Sequence, residues 1–277
     1  MTIQYFSKNG ILLPLSEATI PLENIAYQYG FGVYENLKVR NKILYFAKQH
    51  IERLLQSAKI IDLKHIFTPL KINLYIQEVV QKNNVENCNI KILLIGGKEA
   101  EDALLFILPL APLFPDKKLY SSGATVETVQ YERFLPNAKT LNMLRSYLYY
   151  TKASRQGHYD MLFLDDKGNV LEGSRTNFFV IKGTTLTTPP KEKVLKGITR
   201  QTVIAAAKKN GFIVKEENIP LGKLGNFDGA FLTCTSAKII PLAQIDNLKF
   251  PEIPPKLKEL MQIYNKFLEV SKGTFTE

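Results

Sequence analysis

Lys139 stands in the run from Pro136 to Asn142, with Leu135, Ala138, Leu141 and Met143 around it. Apolar neighbours disfavour the ammonium form of a lysine by desolvation, and a neutral amine is what Schiff-base chemistry with a carbonyl requires. A lone lysine ahead of a helix is more often a solvated surface group, so other residues have to agree. Glu172 follows a hairpin turn at Asp166–Gly168 and ends a strand. Its ordinary reading is a solvated turn carboxylate. Its chemical reading is a carboxylate that pairs with a pyridinium nitrogen and keeps the ring an electron sink for a carbanion. Gly197, Ile198 and Thr199 then open a helix, where free N–H groups and the helix dipole bind phosphate and Thr199 adds a hydroxyl. The run Thr233–Ser236 after a later strand could offer a second hydroxyl and N–H group to the same anion. Each signal is modest alone, but the three occur in order within one half of the chain.

The elements that must position these residues are legible from periodicity and turn residues. Strands are expected at Ile3–Phe6 and Ile11–Pro14 around the Asn9–Gly10 turn, then at Val33–Val39, Ile90–Ile95 and Ala103–Pro109. Ile51, Leu54, Leu55, Ala58 and Ile61 fall at helical spacing over 50–61, and a second helix is expected over 70–81. The stretch Ala111–Tyr120 carries two prolines and no periodicity, the composition of a linker. Beyond it the pattern gives a strand over 125–130, a helix over 140–156, strands at 161–164, 170–171 and 177–181, and a helix over 199–210 ended by Gly211. Strands at 230–234 and 239–245 and a helix over 255–271 complete it. The fold class is mixed α/β (α+β) in two lobes: a small first domain over 1–112, a linker over 113–120 and a larger second domain over 121–277. A site between lobes is the default expectation for such a chain.

The chain has 277 residues, 45% of them hydrophobic, with a net charge of +10. No apolar run approaches the roughly 18–20 residues of a membrane span, and the first residues lack a secretory pattern. Cys88 and Cys234 are far apart, so neither a metal site nor a disulfide framework is indicated. These features place the protein in the cytoplasm. Lysines and arginines are spread among acidic residues rather than gathered on one element, which argues against a nucleic-acid partner. The charge reads as a solvated surface, or as a positive field that steers anionic substrates.

Five ordered motifs carry a family resemblance. They are Tyr29–Glu35, the H-x-x-R-L run from His50 to Leu54, the Lys139 segment, E-G-S-x-x-N from Glu172 to Asn177, and G-I-T-R from Gly197 to Arg200. Thr235-Ser236 followed by Ile240-Pro241 extends the match. Over nearly its whole length the chain resembles the class IV, fold-type IV aminotransferases: the branched-chain and D-amino acid aminotransferases and aminodeoxychorismate lyase. The resemblance implies pyridoxal 5′-phosphate (PLP) as cofactor, held in the cleft of a two-lobed homodimer. It makes Lys139 the Schiff-base lysine and the proton shuttle, and sets Glu172 on the pyridine nitrogen. It sets Arg53, Ile198 (through its backbone N–H), Thr199 and Thr235 on the phosphate, and Leu195 on the ring face. Tyr34, Lys91, Lys98 and Ser236 are the substrate-side candidates. The implied reaction moves an amino group between a small amino acid, of D- or branched-chain type, and a 2-oxo acid. The alternative is the lyase reaction, which releases pyruvate with the same lysine and cofactor. A non-catalytic member is a third reading, opposed by the intact Lys139 and Glu172. Met143 stands where the branched-chain type carries a tyrosine, and the loop 96–102 lacks the Arg and His of the D-amino acid type.

Overall fold

The structure is a computed structural model and describes residues 3–112 and 114–271. These fall into two compact units. One holds the described residues up to 112 together with Ala138–Asn142; the other holds Phe114–Asn137 and Met143–Ser271.

In the first unit β1 (Tyr5–Lys8), β2 (Ile11–Pro14), β3 (Gly32–Arg40), β4 (Ile43–Tyr45), β5 (Cys88–Ile95) and β6 (Leu104–Leu110) form an antiparallel sheet. Their order is β2-β1-β6-β5-β3-β4. The turn at Asn9 (φ 54) and Gly10 (φ 91) is where the sequence puts it. The strand before it starts at Tyr5 rather than Ile3, because Asn83 Oδ1 accepts the Gln4 and Tyr5 N–H groups at 2.9 and 3.0 Å. Along β3, Val33, Glu35, Leu37 and Val39 turn inward while Tyr34, Asn36 and Lys38 are half-buried on the other face. A short α1 (Ile25–Gln28) precedes β3; α2 (Ala47–Ile60) covers the inward face of β3, and α3 (Pro69–Lys82) packs beside α2 on β6 and β1. Leu37, Leu54, Ile72, Ile76, Ile90, Ile92 and Leu94 are the buried centre of that layer. α3 starts where Thr68 accepts the Lys71 N–H and Pro69 supplies a preset φ.

Ala138–Asn142 belongs with this first unit although the sequence groups it with the second domain. Tyr34 donates its N–H to the Lys139 carbonyl at 2.9 Å, and Leu141 donates to the Gly32 carbonyl at 2.8 Å. The helix expected from Thr140 therefore begins only at Leu144, since Thr140 bridges Val33 in strand fashion.

The second unit opens with α4 (Lys118–Ser122), inside the stretch expected to be a linker. It continues through β7 (Ala124–Gln130), α5 (Leu144–Arg155), β8 (Asp160–Leu164), β9 (Asn169–Gly173), β10 (Asn177–Lys182) and β11 (Thr185–Thr188). Then come α6 (Ile198–Lys209), β12 (Ile213–Glu216), β13 (Ile219–Pro220), β14 (Gly229–Cys234), β15 (Lys238–Ile245), β16 (Leu248–Lys249) and α7 (Pro255–Ser271). The strand order is β12-β11-β10-β14-β15-β7-β8-β9-β13, with β16 on β15 and a further pairing of β9 with β10. That last pairing, Glu172 opposite Asn177, closes β10, β14, β15, β7, β8 and β9 into a ring. Phe178, Val180, Leu232, Ile240 and Leu242 share one core with Val126 and Leu162. Phe179, Ile181, Phe231 and Ile239 alternate to the opposite side, against Val203 and Ala206 of α6 and Leu257, Leu260 and Tyr264 of α7. No helix among the described residues is long and apolar enough to cross a membrane.

Candidate active site

The first unit gathers its chemistry around β3 and α2. His50, Arg53 and Ser57 lie three and four residues apart, so they share one face of α2. That face meets Glu35, which the alternation of β3 turns into the core and leaves with no exposure. A carboxylate cannot stay ionised there unpartnered. Arg53 Nε donates to Glu35 Oε1 at 2.6 Å and Nη2 to Oε2 at 2.8 Å, while His50 Nδ1 lies 2.7 Å from Oε2. Burial alone would push Glu35 up, but the charges and hydrogen bonds of Arg53 and His50 outweigh it and hold the carboxyl well below the usual range. Burial pushes His50 down; Glu35 opposes this, and the charges of Arg53 and Lys139 add to it. His50 is thus neutral at pH 7, with its Nδ1–H donating to Glu35. The family resemblance implies a phosphate role for Arg53 and none for Glu35, although a carboxylate on the apolar face of β3 was the available signal.

Ser57 links this triad to the lysine. Its Oγ donates to the Arg53 carbonyl at 2.7 Å and accepts the Lys139 N–H at 3.0 Å. With the two bonds to β3, the backbone around Lys139 is pinned on both sides. The Lys139 amine lies over the Tyr34 ring, 4.5 Å from its centroid, and the Lys91 amine lies 5.8 Å from the same centroid. Lys91 reaches it because it pairs with Asn36, on the face that Tyr34 shares. Lys98 sits exposed in the loop after β5. The structure therefore brings Lys139, Tyr34 and Lys91 together.

In the second unit the ring-closing pair carries the acid. Glu172 Oε2 accepts the Leu195 N–H at 3.1 Å and the Asn177 amide at 3.3 Å, and Arg133 Nε lies 2.9 Å from Oε1. Asn177 also donates to the Leu195 carbonyl at 2.8 Å. Arg133 is fixed by the Gly173 and Ser174 carbonyls and by the Phe163 ring. Sequence reading missed Arg133, because its spacing from Glu172 shows nothing until β9 folds back. Leu195 is half-buried in the turn that leads to Gly197, the N-cap of α6. A Cβ on Gly197 would come within 2.0 Å of Asn177 Oδ1, so the turn can pack this closely only with glycine.

Among the described residues no side chain caps α6, although Ile198 and Thr199 in its first turn are buried. An uncapped helix start in such surroundings calls for an anion on its N–H groups. The Tyr264 hydroxyl contacts both Thr199 and Thr202, the latter at 2.9 Å, and steadies the first turn from behind. Thr235 and Ser236 are half-buried in the turn after β14, where Ser236 Oγ lies 3.5 Å from Cys234 Sγ. Within the second unit, a buried carboxylate that accepts from amide N–H groups beside a guanidinium charge, and an uncapped helix start, are groups that could hold a pyridine nitrogen and a phosphate; within the first, the lysine on a fixed backbone offers an amine to an aldehyde.

The chain matches the family model of the class IV aminotransferases (Amino-transferase class IV) over residues 32–245. It is a class IV aminotransferase. A putative branched-chain-amino-acid aminotransferase of Methanocaldococcus jannaschii is 31% identical over 267 residues, covering 91% of this chain and 93% of that protein. A D-alanine aminotransferase of Bacillus licheniformis is 30% identical over 247 residues, covering 86% and 87%. The branched-chain amino acid aminotransferase of Escherichia coli superposes with a TM-score of 0.88 at 25% identity, over 94% of this chain and 93% of that one. The T.th. branched-chain amino acid aminotransferase, crystallised with pyridoxamine 5′-phosphate, gives 0.89 at 26% identity over 99% and 95%. The mixed α/β fold-type IV architecture expected from the motifs is thereby established. So is aminotransferase activity, and these relatives do not favour the lyase alternative. Enzymes of this family depend on PLP.

Proposed function

We propose that this aminotransferase uses PLP to exchange an amino group between a branched-chain or D-amino acid and a 2-oxo acid. PLP, when bound, supplies an electron sink that stabilises charge at the substrate Cα. Lys139 carries the covalent link to the cofactor and moves the proton at the substrate Cα. Its amine over Tyr34, on a backbone held by Ser57 and β3, is the observation that carries this reading. Glu172, held by hydrogen bonds from Asn177 and Leu195 and by the charge of Arg133, keeps the pyridine nitrogen protonated. Ile198 N–H, Thr199, Thr235 and Arg53 take the phosphate, and Leu195 covers one ring face.

Lys91 receives the substrate carboxylate and Tyr34 lines the same pocket. The support is their shared ring contact, which Lys98 lacks. Ser236 is a further substrate contact beside Thr235. The working form is a homodimer: Leu22 (90% exposed) and Tyr29 (81%) in the first unit, and Leu144, Tyr147 and Leu148 on α5, offer apolar surface for a second copy.

The test is the visible absorbance of the PLP-loaded protein, followed while L-leucine, L-glutamate, D-alanine and D-glutamate are added one at a time. Loss of the cofactor band with one amino acid, and its return on adding a 2-oxo acid, is the expected outcome and reveals handedness. A band unmoved by every amino acid, with pyruvate released from aminodeoxychorismate, would replace this reading with the lyase.

A further inference from the structure

Thr233 is the last inward residue of β14 and is only 2% exposed, yet its hydroxyl has no hydrogen-bond partner among the described residues. A buried hydroxyl left without a partner is costly, so its surroundings indicate what it is for. Thr233 pairs directly with Asn177 on β10 and with Ile239 on β15. Directly opposed residues of antiparallel strands point to the same face, so the hydroxyl lies on the side of the sheet that α6 and α7 cover. Asn177, its neighbour there, is the residue against which Gly197 packs at the start of α6. Ile239, its other neighbour, belongs to the core of Val203 and Tyr264. The hydroxyl therefore sits in the sheet floor beneath the uncapped first turn of α6, two residues before Thr235.

We propose that Thr233 is a further ligand of the phosphate, its hydroxyl donating to the anion from the sheet side while the N–H groups of α6 donate from above. This rests on the assignment of the α6 start as the phosphate site and adds a residue to it.

Thr233→Val keeps the β-branched shape and removes the hydroxyl; Thr233→Ser keeps the hydroxyl. Each is titrated with pyridoxamine 5′-phosphate and with pyridoxamine, alongside the thermal midpoint of the cofactor-free protein. The valine variant is expected to bind pyridoxamine 5′-phosphate about 10- to 100-fold more weakly, the value of one hydrogen bond to a charged group. Its pyridoxamine binding should not change, the serine variant should bind like the parent, and the cofactor-free midpoint should hold or rise. Binding of pyridoxamine 5′-phosphate within twofold of the parent would overturn the proposal. So would an equal loss of both ligands, which would mark the hydroxyl as part of the ring site or of the sheet. If the valine variant misfolds, Thr233→Ala against Thr233→Ser makes the same comparison. A parent protein that binds the two ligands equally would instead remove the phosphate site itself, and this proposal with it.

Discussion

Glu35 is an ionised carboxylate inside an apolar layer, and Arg53 cannot be understood without it. Both Glu35 oxygens accept from the guanidinium, so Arg53 has a structural role before any anion arrives. Removing one partner of a buried ion pair leaves the other charge uncompensated, at a cost of about 3–5 kcal/mol. Arg53→Ala should therefore lower the unfolding free energy of the cofactor-free protein by that order in a urea titration. An arginine that served only the phosphate would leave that titration unmoved. Arg53→Lys keeps the charge but not the two-pronged geometry, and should fall between. Lys139→Ala is the opposite case. Its backbone bonds survive the change, so folding should hold while turnover and the cofactor's visible band vanish. Turnover retained in that variant would place the covalent link elsewhere.

The elements explain which parts of this site a sequence can show. Lys139, Glu172 and the start of α6 sit in short contiguous motifs, and strand alternation or helix caps betray their surroundings. Arg133 and Thr233 act only through register: one meets Glu172 because β9 returns beside it, the other faces Asn177 because β14 pairs with β10. The helix expected from Thr140 fails for the same reason, since the backbone of 139–141 is claimed by β3, over a hundred residues away in the chain. β4 and β11 go unseen because, unlike the similarly short β1 and β2, they are not marked by an Asn-Gly hairpin turn. The turn into α6 gives the prediction at this scale. Gly197→Ala would press a methyl into Asn177 Oδ1 and shift the amide that ties Leu195 to Glu172. Displacements near 1 Å in a catalytic array cost about 100-fold, so kcat should fall by about 10- to 100-fold with the protein still folded. Steady-state rates and a far-UV circular dichroism spectrum check it; an unchanged kcat would mean that α6 yields without disturbing Glu172.

At the scale of the whole molecule, the same buried triad sets how stability responds to acid. Folded His50 stays neutral below its ordinary value of about 6.5, because burial disfavours its charge. The unfolded chain then binds one more proton than the folded one, so stability falls as pH drops below about 6.5, by up to about 1.4 kcal/mol per pH unit. Glu35 is depressed in the folded state, so its stabilisation is present above the ordinary carboxylate range and is lost only in stronger acid. A second force acts in the same direction. The chain already carries +10 at neutral pH, and further protonation adds self-repulsion that favours expansion. Salt separates the two, since it screens surface charge strongly and buried groups weakly. Unfolding free energies should be measured between pH 7.5 and 5 at low and at 1 M KCl, for the parent and for His50→Gln. The substitution keeps a donor for Glu35 but cannot titrate. The parent should retain most of its slope in high salt, and the variant should lose the part owed to His50 and keep only the part owed to His65, which partial burial also pushes down. A slope that salt abolishes in both proteins would assign acid sensitivity to the surface, and Glu35 and His50 would then be a pair that positions Arg53 without governing stability.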